Sequence, residues 1–167
     1  MHRPPSAFVL FGIFSMAPAL HAGDVVDPVA FIEDWAATFN VNSPVLQSAF
    51  YDRSEETEVF VSSGHRYQGH EAIKKAYEDD QSQLRYYDST VSKMTSRILG
   101  DTALVSFEHR FKIHFLADDS RWQMHVRTTS VLLREKNSWR IVLEHSSPIH
   151  RTKRMTRIQP LQDDIGQ

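Results

Sequence analysis

Hydrophobic and polar positions change rhythm once along this chain. The apolar residues of the helical segments before Tyr87 recur at three and four, and after Tyr87 they alternate. Phe31, Ile32, Trp35, Ala36 and Phe39 fall on one face of a helix that Asp27-Pro28 starts, because Asp caps a backbone N–H and Pro fits the first turn. Asn40 to Ser43 ends it. Ser43-Pro44 repeats the signal, with Val45, Leu46, Ala49 and Phe50 as the expected apolar face of a second, shorter helix. A short strand over 58–62 and a turn-rich link over 63–69 lead to a third helix whose apolar face is Ala72, Ile73, Ala76 and Tyr77. Four alternating runs then read as strands, 89–99, 103–116, 121–134 and 139–147, with turns at Gly100-Asp101, Ala117 to Ser120 and Glu135 to Ser138. Three helices followed by an antiparallel meander define an α+β domain: a strongly curved antiparallel sheet covered by N-terminal helices.

Length and composition refine this picture without changing it. At 167 residues the chain suits one domain with its own core. Arg3, the uncharged run Ala7 to Leu20 and the small residues ending at Ala22 form the pattern of a secretory signal peptide. The expected organisation is therefore a signal peptide over 1–22, a domain over 23–150 and a polar tail over 151–167, with the protein exported to the periplasm or beyond. The apolar run is shorter than a bilayer-spanning helix requires, so no membrane span is expected. Cysteine is absent, which removes disulfides, thiol catalysis and thiolate metal sites. A net charge of −2 with interspersed signs offers no footprint for nucleic acid. Nine histidines invite a metal, but none stands at a helical i, i+4 spacing with recognisable partners, so neither metal nor cofactor is expected.

Candidate chemistry concentrates on the strands. In 103–116, Val105, Phe107, His109, Phe111, Ile113 and Phe115 share one face, and Glu108, Arg110, Lys112 and His114 share the other. His109 is the lone polar group on an apolar face. It is either a hydrogen-bonded core histidine or a proton donor or acceptor held neutral by burial. In 121–134 both parities are equally apolar, so Arg127 points either into a cavity, where it would clamp a carboxylate or carbonyl, or outward as a surface charge. The same ambiguity holds over 139–147, which leaves His145 either at a pocket or in a structural hydrogen bond. Trp35, Tyr67 and Tyr77 are candidate cavity walls.

Two separated motifs carry a resemblance. Ser63-Gly64-x-x-Tyr67-x-Gly69-x-Glu71-Ala72-Ile73, and Arg127-Thr128 followed by Trp139-x-Ile141-x-x-x-His145-x-Ser147, resemble the SnoaL-like branch of the nuclear transport factor 2-like superfamily. The resemblance spans about residues 27–149. It implies a cone with a cavity between sheet and helices, and a homodimer formed through the sheet's outer face. Catalytic members of that superfamily use carboxylates, or tyrosine and histidine, inside the cone. Here no aspartate falls on an assured inward strand position, so acid–base chemistry lacks its usual carboxylate. The leading expectation is a domain binding a small anionic or carbonyl-bearing organic ligand through Arg127, Trp35, Tyr67 and Tyr77. The alternatives are a cofactor-independent isomerase, dehydratase, cyclase or hydrolase with His109 or His145 as base, and a structural dimerisation domain.

Overall fold

The computed structural model describes residues 25–149 and the backbone of 156–158. The signal-peptide reading of 1–22 and most of the tail fall outside these residues. Helix α1 (Pro28–Val41) starts where expected, Asp27 accepting the Val29 N–H at 2.8 Å, and stops at Asn42 in a left-handed conformation. It lays Phe31, Ile32, Trp35, Ala36 and Phe39 into the core. Helix α2 (Pro44–Ser48) is capped by Ser43, but its inner face is Gln47 and Ser48, while Val45 and Leu46 are exposed. The apolar spacing misleads here because a single turn is too short to set its own orientation; Gln47 is drawn inward by a side-chain hydrogen bond from Gln81. Helix α3 (His70–Gln83) follows Gly69, whose φ of 82° favours glycine and whose missing Cβ leaves room for Glu55. Ile73 is its buried apolar residue, and Ala72 faces solvent.

The strands are β1 (Glu58–Phe60), β2 (Arg66–Gln68), β3 (Leu84–Leu99), β4 (Thr102–Phe115), β5 (Arg121–Glu135), β6 (Ser138–Pro148) and β7 (Thr156–Ile158). They form one sheet in the order β2-β1-β6-β5-β4-β3, and β7 pairs with β5. The sheet is mixed rather than wholly antiparallel, because β1 returns beside β6 in parallel. Residues 156–158, expected within a solvated tail, instead add an antiparallel strand along 121–123.

Bulges shape this sheet and decide which side chains face the helices. Strand β3 shifts register between Tyr87 and Thr90 and again between Ser92 and Thr95, with Asp88 and Lys93 at φ of 51°. Strand β6 shifts between its pairings of Ile141 with Leu132 and Leu143 with Val131, which leaves Val142 as an extra residue. Each bulge bends its strand and reverses the parity beyond it. Accordingly Leu84 and Tyr86 are buried before the β3 bulge and Ser89 after it; Trp139 and Ile141 are buried before the β6 bulge and Glu144 after it. The ladder broken around Asp88 is repaired from the end of α1. Asn42 exchanges two hydrogen bonds with the Tyr86 backbone at 2.7 and 2.8 Å, and Asn40 does the same with Ser89 at 2.8 and 3.3 Å. Strand β4 runs without a bulge, and its inward set is the one the alternation implies, with Phe107 5.9 Å from Trp35 between ring centroids.

Candidate functional site

Between the concave sheet and the helices lies a cavity of about 350 Å³, near the lower end of the range typical of small-molecule sites. Its walls are mostly apolar, aromatic and aliphatic side chains contributing about equally. Among the described lining residues there is no lysine or arginine, and the ionisable groups other than tyrosine are His65, Asp80, His109 and Glu144.

His109 sits on the β4 side, 2 % exposed, with ring centroids of Trp35, Phe39 and Phe111 at 5.2, 5.1 and 4.7 Å. Its Nε2 lies 2.9 Å from Ser89 Oγ, and that hydroxyl donates its single hydrogen to the Ala36 carbonyl at 2.8 Å. A carbonyl only accepts, so Nε2 carries the imidazole proton and donates to Ser89, which leaves Nδ1 as the lone-pair nitrogen. Burial pulls the pKa of His109 down to about 3, so the ring is neutral across the physiological range.

Glu144 occupies the β6 side, 5 % exposed. Its Oε2 accepts from Tyr51 at 2.7 Å, and the Tyr51 oxygen lies 2.9 Å from that of Tyr77. Because Tyr51 spends its proton on the carboxylate, Tyr77 donates to Tyr51, and a directed chain of hydroxyls runs from the cavity wall to the carboxyl group. Oε1 receives a long 3.5 Å contact from Ser146, which is 2.9 Å from Thr128 Oγ1. Desolvation pushes Glu144 up to about 7, opposed by the hydrogen bonds from Tyr51 and Ser146. Burial raises Tyr51 and Tyr77 as well, chiefly by desolvation and then by the nearby Glu144 charge, so both stay protonated. The indole N–H of Trp35 approaches Tyr77 closely enough to favour its phenolate slightly, yet forms no hydrogen bond. It remains a buried donor without a partner. On the α3 side, Asp80 accepts from the Tyr86 hydroxyl, and burial raises its pKa.

The residues singled out from sequence divide between the two faces of the sheet. His109, Trp35, Tyr67 and Tyr77 all line the cavity. Arg127 and His145 do not: both are exposed on the outer face, Arg127 opposite Glu108 in the β4–β5 register and His145 beside Phe60. For Arg127 the even parity of β5 wins, with Met124, Val126, Thr128 and Ser130 buried. For His145 the Val142 bulge is the cause: it turns Glu144 inward and His145 out. The missing carboxylate is therefore present, and it is Glu144. Alternation alone could not find it, although a glutamate among apolar residues in a strand was its one visible signal.

A bent sheet wrapped by three helices around a polar-ended cavity is the cone of the nuclear transport factor 2-like superfamily. A family model described as a SnoaL-like domain matches residues 29–151, and the chain belongs to that family. No curated protein matches it. Among solved structures it is similar to a nuclear transport factor 2-like superfamily protein from Salmonella enterica (19 % identity, 74 % of this chain and 89 % of that one, TM-score 0.66). It is also similar to a hexachlorocyclohexane dehydrochlorinase (7 %, 78 % and 86 %, TM-score 0.65) and to a candidate scytalone dehydratase from Novosphingobium aromaticivorans (14 %, 75 % and 92 %, TM-score 0.64). At these identities the likeness is one of fold.

Proposed function

We propose that this protein is a cofactor-independent acid–base enzyme, of the isomerase or lyase kind, acting on a small, mostly apolar molecule that bears a carbonyl group. The observation that carries this reading is Glu144: a carboxyl group with a pKa near 7, at a cavity wall, tied through Tyr51 to Tyr77. A general acid or base is most effective when its pKa lies near the working pH, because both protonation states are then populated. In its ionised form Glu144 takes a proton from a carbon next to the carbonyl, and the electron pair of that C–H bond moves to the carbonyl oxygen as the enolate forms. Structural neighbours named as a dehydratase and a dehydrochlorinase, whose names denote proton-removing eliminations, support this reading. The anionic half of the ligand expectation has no support in the lining, since Arg127 lies outside it. Export, with cleavage after Ala22, and a homodimer remain part of the proposal: N-terminal sequencing of the mature protein should begin at Gly23, and sedimentation should give twice the chain mass.

The test is exchange of hydrogen for deuterium next to the carbonyl in a panel of small cyclic and aryl ketones, followed by NMR in heavy water. The wild type should accelerate exchange of at least one ketone, and Glu144→Gln should abolish that acceleration while remaining folded. Exchange at the buffer rate throughout the panel, or equal rates in the two proteins, overturns the reading.

A further inference from the structure

The cavity has a second carboxyl group that the proton-transfer reading leaves unused. Asp80 lies one helical turn beyond Tyr77 on α3, partly buried, at the cavity wall. One of its oxygens accepts from Tyr86, and no hydrogen bond reaches the other from the described residues. Around it stand rings: Tyr86 packs edge-on against Phe39 and Phe111 at 5.1 and 5.7 Å, and Tyr67 is near enough for the Asp80 charge to disfavour its phenolate.

We propose that Asp80, framed by Tyr67 and Tyr86, is the seat for a protonated amine, so that the small molecule held in this cavity is an organic cation with a carbocyclic or aromatic body. A carboxylate supplies the countercharge, and ring faces within about 6 Å of a cation add attraction that strengthens where water is excluded. The basic side chains of the described lining are His65, near enough to Asp80 for its charge to favour the carboxylate, and the neutral His109, and they stand against two carboxyl groups. A metal ion does not suit the place, because no group of three or more His, Asp or Glu among the described residues is arranged to hold one.

The inference rests on the cavity's being a small-molecule site, and its test is separate from turnover. Isothermal titration of the full protein near neutral pH compares three probes with one body: phenylpropylammonium, phenylpropanol and phenylpropanoate. The ammonium should bind about tenfold tighter than the alcohol, and the carboxylate weakest. Asp80→Asn should bring ammonium and alcohol to within about twofold while the alcohol's affinity is kept, whereas Glu144→Gln, which removes a partly ionised group elsewhere in the cavity, should narrow the gap less than Asp80→Asn does. The inference is overturned if the alcohol or the carboxylate matches the ammonium, if the ammonium does not bind at millimolar concentration, or if Asp80→Asn leaves the gap intact. If the gap is absent and Glu144-dependent ketone exchange persists, the amine seat alone fails. If the gap is present and exchange is absent, it is the enzymatic reading that fails.

Discussion

At the β4 wall of the cavity His109 makes one hydrogen bond, to Ser89, and otherwise touches rings; at the β6 wall Glu144 ends a chain of hydroxyls through Tyr51 and Tyr77. Desolvation acts on both, against the charged form in each case. The Nε2–H bond to Ser89 is available to both forms of the ring, but no hydrogen bond from the described residues meets Nδ1, where the second proton would sit, so nothing offsets burial and His109 falls to about 3 and is chemically locked. The donors on Glu144 favour the carboxylate and offset part of its burial, so it settles at about 7 and can change state. Similar burial thus yields a structural group at one wall and a titrating group at the other, and what separates them is which protonation state their neighbours can serve.

The sharpest way to break this contrast is Glu144→Gln. Loss of the general base should cost at least about a hundredfold in turnover. The wild-type rate should rise with pH through about 7 as the carboxylate forms, and the variant should show no such rise. The variant should also be the more stable protein in alkali. Folded Glu144 keeps a proton that the unfolded chain releases above 4.5, so wild-type stability falls as pH climbs from 4.5 through about 7. That span of pH corresponds to about 3 kcal/mol, which urea unfolding of both proteins at pH 8 should register.

His109→Phe sharpens the comparison from the acid side. The folded protein keeps His109 neutral where the unfolded chain binds a proton, so wild-type stability is lost as pH falls from 6.5 towards about 3. The variant should gain about 3 kcal/mol over wild type near pH 4 and lie within about 1 kcal/mol of it at pH 8, because the Ser89 hydroxyl keeps its bond to Ala36. An equal loss at every pH would show that His109 matters for packing and not for its charge.

A smaller effect belongs to Asn40. Asn40→Ala should cost about 2 kcal/mol by releasing two hydrogen bonds to the Ser89 backbone, and should raise amide exchange around Ser89 in proportion. Smallest of all, Arg127→Ala and His145→Ala on the outer face should change stability by less than about 0.5 kcal/mol and leave ketone exchange at the wild-type rate. A large loss of exchange in either would mean that the outer face communicates with the cavity.

What the sequence by itself determined was every feature that depends on local rhythm. The caps at Asp27 and Ser43, the buried stripe of α1, and the inward set of β4 with His109 as its lone polar member all follow from spacing, because an uninterrupted element keeps its period from end to end. The parallel return of β1 beside β6 and the strand at 156–158 are pairings between distant segments, and no local pattern encodes them. The site itself was decided at the bulges. One extra residue at Val142 exchanged the faces of β6, sending Glu144 in and His145 out, and the left-handed residue Asp88 turned Ser89 toward His109. A bulge is fixed by the curvature the whole sheet must adopt to close over α1 and by the partners that repair its broken ladder, here Asn40 and Asn42, so it emerges only when those elements meet.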